Sequence, residues 1–257
     1  MGARLSPHSN RFNWLCVAEQ PMNDEAACLA LNLGDAEGMR TESPPIVPTT
    51  PDLKLERRAI RNGATIVAGV DEVGRGPLAG PVVVSAVVLN HRKVPAGLND
   101  SKQLTESQRE DLYEKIMSSA VAVSVAVAPP SIIEKLNILW ASMWAMRQAV
   151  LNLPVKVDYV LVDGNTRPKD MLWPTELVVG GDARSLSIAA ASIVAKVTRD
   201  RMCEIMHCEE PHYGFASHKG YSAPMHLRAL TEHGPGRHHR MDFAPCAQAL
   251  RLKSEAA

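Results

Sequence analysis

Three runs of residues govern what this chain can fold into. Residues 64–70, 81–89 and 121–128 are almost wholly Val, Ala, Ile and Leu, without polar alternation. A strand with one wet face alternates between apolar and polar residues. Unbroken runs like these read as strands covered on both faces, which calls for helices on either side of a sheet. The helices are there to be found. Thr105 and Gln108 have capping-box spacing and open a predicted helix to about Ser118; residues 131–151 have helical composition and period; and an Ala-rich helix is predicted over residues 185–210. Residues 158–163 and 177–179 read as two further strands, each closed by glycine. The element order predicts an α/β fold with a mixed central sheet flanked by helices.

Residues 1–62 have a different texture. They show no sustained period, and Pro44, Pro45, Pro48 and Pro51 fall close together among Thr and Ser. A poorly ordered extension and linker is expected there, with one short helix at residues 24–33, and a folded domain over residues 63–257. Within 257 residues, 46% apolar content suffices for one substantial core. No apolar stretch approaches the roughly 20 residues of a membrane-spanning helix, so no membrane partner is expected. Five scattered cysteines, an odd number, argue against a disulfide framework and for a reducing, cytoplasmic setting. His207, Cys203 and Cys208 lie scattered around a helix and do not make a zinc site.

Acids stand where strands stop or helices start: Asp71 and Glu72 after the first apolar run, Asp163 at the end of the fourth strand, and Asp182 before the long helix. Strand ends in α/β sheets are where sites assemble. Converging carboxylates repel one another unless cations join them, and an all-oxygen set suits Mg²⁺ or Mn²⁺. Consecutive strand residues face opposite ways, so Asp71 and Glu72 share a site only if the strand ends or twists there. The following Gly74-Arg75-Gly76 is no dinucleotide fingerprint, because a strand rather than a helix comes after it.

The segment 69–80, Gly-Val-Asp-Glu-Val-Gly-Arg-Gly-Pro-Leu-Ala-Gly, closely resembles the ribonuclease HII family. The likeness continues in order through Leu98 to Lys102, Val162 to Asn165, Gly181 to Ser185, and the Tyr213-Gly214-Phe215 and His218-Lys219-Gly220-Tyr221 blocks. The resemblance implies an RNase H-like fold with a helical C-terminal portion. It also implies a metal-dependent endonuclease that cuts the RNA strand of RNA–DNA hybrids and nicks duplex DNA at single embedded ribonucleotides. Asp71, Glu72, Asp163 and Asp182 are then the metal-binding and catalytic acids for two Mn²⁺ or Mg²⁺ ions. Gly74, Arg75, Gly76 and Tyr221 read the ribose, and Lys102, Arg184 and Ser185 are candidate phosphate contacts. Two-metal hydrolysis leaves 3′-hydroxyl and 5′-phosphate ends. Gly180 departs from the Lys that the family often carries, and a monomer is expected.

Two rival readings are a two-metal DNA nuclease blind to ribose and a catalytically silent nucleic-acid-binding protein. The loop with Tyr221 argues against the first, and the four acids against the second, because binding alone favours removing negative charge. Formal charge balances, 28 Lys and Arg against 28 Asp and Glu. Residues 212–253 nonetheless form a basic, His-rich stretch, which predicts a surface for the duplex backbone.

Overall fold

The three apolar runs become neighbouring strands of one sheet. The computed structural model describes residues 50–255 together with the backbone of residues 12–17. Strands β1 (Phe12–Val17), β2 (Val67–Val73), β3 (Val82–Val88), β4 (Ala122–Ala128), β5 (Tyr159–Asp163) and β6 (Thr175–Val178) line up in the order β1-β4-β3-β2-β5-β6. β2, β3 and β4 pair antiparallel in chain order, whereas β5 joins β2, β6 joins β5 and β1 joins β4 in parallel. The sheet is therefore mixed, as expected.

Helices on both faces explain why the runs do not alternate. Val82, Val84 and Ala86 pack with Ile133, Ala145 and Met146 of α3 (Pro130–Leu151). Val83 and Val87, pointing the opposite way, pack with Leu112 and Ile116 of α2 (Glu106–Ser119) and with Ile193 and Val194 of α4 (Leu186–Glu209). Each valine so enclosed contributes about 1.5–3 kcal/mol relative to an exposed one. Thr105 and Gln108 form the expected capping box on α2. The helix predicted over residues 131–151 is broken at Asn137, which has a φ of +63° and whose side-chain oxygen accepts from the N–H of Leu139 and Trp140. With ψ at 166° this is a conformation otherwise used almost only by glycine, and the Asn137 side chain offsets it by restarting the helix as a cap.

The N-terminal boundary lies earlier than the sequence reading puts it. Helix α1 (Lys54–Arg61), inside the stretch assigned to the linker, docks on the domain through Leu55, Ala59 and a fully buried Glu56. Its sequence, Lys-Leu-Glu-Arg-Arg-Ala-Ile-Arg, looks solvated because one of its three buried residues is charged. β1 likewise falls within the expected extension, whereas the helix expected at residues 24–33 lies outside the described residues. After α4 the chain forms α5 (Phe215–His218), α6 (Pro224–His233) and α7 (Ala244–Glu255), the helical C-terminal portion. Among the described residues no helix is long and apolar enough to cross a membrane.

Candidate active site

β2 outruns its neighbour at the point where the acids begin. Its parallel pairing with β5 stops at Val70, opposite Val162, whereas its antiparallel pairing with β3 continues through Asp71, Glu72 and Val73. Beyond Val70 the strand forms the rim of the sheet with a partner on one side only. Asp71 and Glu72, from opposite faces, both line one cavity of about 310 Å³ there. The strand does not end at the acids; a one-sided rim is what lets both reach the same space.

β5 delivers Asp163 to the same cavity at its last residue, and the turn Gly181–Ala183 holds Asp182 beside it. Asp163 Oδ1 accepts from the Gly181 N–H at 2.6 Å, which ties the end of β5 to the turn. α4 follows directly and lies on β2 so closely that a Cβ on Gly69 would sit 2.2 Å from the Ser187 carbonyl carbon. Glycine is what allows that approach, and the approach brings Ser192 of α4 into the cavity.

Burial and mutual repulsion raise all four acids. Asp71 is only 5% exposed, and burial, then Glu72 and Asp163, push its carboxyl well above the usual range, against a hydrogen bond from Ser192. Glu72 is raised by burial, partly offset by Arg75, whose guanidinium lies 3.3 Å from Glu72 Oε1. Asp163 is raised by burial despite the Gly181 N–H. Asp182 is pushed up to about 6, by burial first and then by Asp100 and Asp163. Burial alone would lower Lys102. The surrounding acids Asp100, Asp182, Asp71 and Asp163 outweigh it, so the ammonium, 4.0 Å from Asp182 Oδ2, is held above its ordinary range.

Tyr221 lines the cavity across from the acids, and the loop after β2 stands behind its ring. A Cβ on Gly76 would lie 3.6 Å from the Tyr221 ring, so loop and aromatic stand side by side, with the ring 46% exposed. Lys102 lines the cavity. Arg184 does not line it: it is exposed, and its guanidinium reaches back to the Val179 carbonyl. Ser185 departs from the expectation of a phosphate contact. It is fully buried, donates its hydroxyl to Glu56 at 2.6 Å and accepts the Ile188 N–H as the cap of α4.

Three features escaped the sequence reading. Asp100 is a fifth acid near Asp182. Ser101 and Ser192 line the cavity and share a hydrogen bond of 3.0 Å. Lys196 bonds Asp200, four residues on along α4, at 2.6 Å and also lines the cavity, with only 21% of its side chain exposed. The spacing of Ser192 and Lys196 on one face of α4 was the available signal.

The expected basic surface is present in part: Arg228, Arg237, Arg251 and Lys253 are exposed, while other members of the stretch are used internally. Arg240, His226 and His239 are fully buried, Lys219 pairs with Glu204, and Arg237 and His238 both reach Glu209, at 2.7 and 2.8 Å. A charge count does not separate a cation that faces solvent from one that packs.

The strand order, with acids gathered at the rim of the central strand, places the chain among the nucleases with an RNase H-like fold. The ribonuclease H2 of Pyrococcus horikoshii is similar in structure, at a TM-score of 0.63 and 26% identity over 74% of this chain and all of that one. The ribonuclease HII of Agrobacterium fabrum is 51% identical over 78% of this chain and 92% of its own length, and that of a Polaromonas species 54% identical over 72% and 93%. A model of the ribonuclease HII family matches residues 68–246. The chain belongs to the ribonuclease HII family. It is an endonuclease of the ribonuclease H type that acts on RNA–DNA hybrids.

Proposed function

We propose that the chain also nicks duplex DNA at single embedded ribonucleotides, using divalent ions held by Asp71, Glu72, Asp163 and Asp182. One observation carries the reading: Asp71, Glu72 and Asp163 share one cavity with an exposed Tyr221, with Asp182 close enough to repel Asp163 and the glycine-flanked loop against the tyrosine ring. The donor set fits a hard cation, being all carboxylate oxygen, and Glu72 Oε2 is buried without a hydrogen-bond partner. No three acid, His or Cys side chains among the described residues are drawn into a ready-made cage. That openness suits Mg²⁺ or Mn²⁺, which keep waters and bind through a few carboxylates plus substrate phosphate. Bound there, the ions would stabilise charge on the scissile phosphate and acidify the attacking water.

The protein's own groups do the rest. Asp71, Glu72 and Asp163 are fixed by strand pairing, so the negative cluster is preorganised before any ligand arrives. Lys102 and Lys196 line the same cavity and place positive charge where a phosphate must lie. Backbone groups of Gly74, Arg75 and Gly76 approach a 2′-hydroxyl without a side chain in the way at either glycine, and Tyr221 offers its ring to the neighbouring sugar. Cleavage 5′ to this phosphate leaves 3′-hydroxyl and 5′-phosphate ends.

The test is a duplex DNA carrying one ribonucleotide, incubated with Mg²⁺ or Mn²⁺. A single nick next to the ribose, absent from the all-DNA duplex, is expected. Cutting of hybrids without any nick at a lone ribonucleotide would overturn the reading.

A further inference from the structure

Arg199 of α4 and Arg240, just before α7, are both fully buried, and neither has a carboxylate at ion-pair distance among the described residues. Their partners are six backbone carbonyls. Arg240 donates to Gly74, to Arg75 at 2.9 Å and to Gly80 at 3.0 Å. Arg199 donates to Pro81 and Lys219, both at 3.0 Å, and to Ala79 at 3.2 Å. Five of these carbonyls belong to the irregular loop between β2 and β3, and the sixth lies two residues before Tyr221. A buried cation is costly unless hydrogen-bonded, and here the bonds fix the loop that packs against Tyr221 and the segment leading to it. Gly74 has a φ of +98° and a Cβ there would fall 2.2 Å from Arg199 Nε, so the loop is moulded onto the two guanidinium groups.

Peptide planarity turns this clamp into a recognition device. There are no cis peptides, and in a trans unit the C=O and the next N–H point opposite ways. With the Gly74 and Arg75 carbonyls drawn inward to Arg240, the N–H groups of Arg75 and Gly76 point away from it. Neither donates to any described residue. We infer that Arg240, seconded by Arg199, is a positioning residue for ribose recognition: it presents the Arg75 and Gly76 N–H groups as a pair of donors for an oxygen of the ribonucleotide. This inference rests on the loop being the ribose reader.

Arg240→Lys keeps a charge but offers no planar fork for three carbonyls. Normalised to folded protein, the variant is expected to lose 30-fold or more in kcat/KM on the single-ribonucleotide duplex, while its affinity for an all-DNA duplex and its half-saturating Mn²⁺ stay within twofold. A merely structural role would lower the folded fraction and leave the constants per folded molecule unchanged. Cutting within threefold of wild type would overturn the inference. Should Arg240→Lys not fold, amide exchange in the full wild-type chain decides, with Ca²⁺ in place of the catalytic ions. The Arg75 and Gly76 amides should be protected at least tenfold by the ribonucleotide duplex and not by the all-DNA duplex; equal protection by both overturns the clamp. Gly76→Ala separates the two levels. If it too leaves ribonucleotide cutting intact, the loop reading itself fails; if it abolishes cutting while Arg240→Lys does not, only the clamp fails.

Discussion

The two walls of the cavity solve opposite electrostatic problems. On the sheet side, negative charge is buried against more negative charge, and the pKa values rise through burial first and repulsion second, offset only in part by Arg75 and Lys102. On the loop side, positive charge is buried against neutral carbonyls, and burial, with repulsion from Arg199, draws Arg240 down to about 9, which still leaves it charged at neutral pH. The acid wall is held rigid by strands and, on the proposed function, is completed by cations. The loop wall has no regular structure and is complete in itself. Removing charge from the first should relieve the fold, and removing charge from the second should harm it.

Asp71→Asn tests the first half most severely. Hybrid cleavage in Mn²⁺ should fall by more than the roughly 10–100-fold that loss of an outer-shell partner costs. The urea midpoint should hold or rise, because a buried repulsive charge is gone. Substantial residual cutting would break the assignment. Arg199→Met is the mirror experiment on the other wall. It strands three carbonyls at about 1 kcal/mol or more each, so a loss of about 3 kcal/mol or more is expected in urea titrations. A midpoint unchanged from wild type would show the loop stands without its clamp.

A smaller effect probes what supports Asp182. Glu56 accepts from the Ser185 hydroxyl and from the Ser187 N–H at 2.9 Å, while Asp52 bridges to Ser185. Glu56→Ala should cost about 1–3 kcal/mol for the stranded donors and weaken Mn²⁺ activation. Unaltered metal dependence would confine α1 to stability. The smallest effect is in pH. Asp182 has its folded pKa raised to about 6 from an ordinary 3.8, so the folded state binds the extra proton between these values. Metal-free stability should therefore decline as pH rises from about 4 to 6. Asp182→Asn should flatten that slope in thermal melts; an identical slope would place the titration elsewhere.

What was legible in the sequence follows the same division. Unbroken apolar runs announce strands covered on both faces, and acids at their ends announce a site, because both signals are local. Glu56 was illegible, since a charged residue on a short, Arg-rich helix looks solvated until its partners, more than a hundred residues away, are known. The arginines were half legible. Ile188, Ala195, Arg199, Cys203 and Met206 form one buried stripe on α4, so an arginine at helical spacing on an apolar face was visible as an anomaly. Arg240 sits in irregular chain, where no period exists to betray it.

The loop wall also sets an order of events during synthesis. Ala79 pairs with His239, and Arg240 grips Gly80 across 160 residues of chain. A ribosome that has released residue 190 has already exposed every acid of the site, together with the sheet that carries them. It has not yet made the segment that holds the loop. On the proposed function, ribose selectivity would be acquired last, and a nascent or C-terminally truncated chain would hold the acids that gather cations before it holds the segment that chooses a substrate.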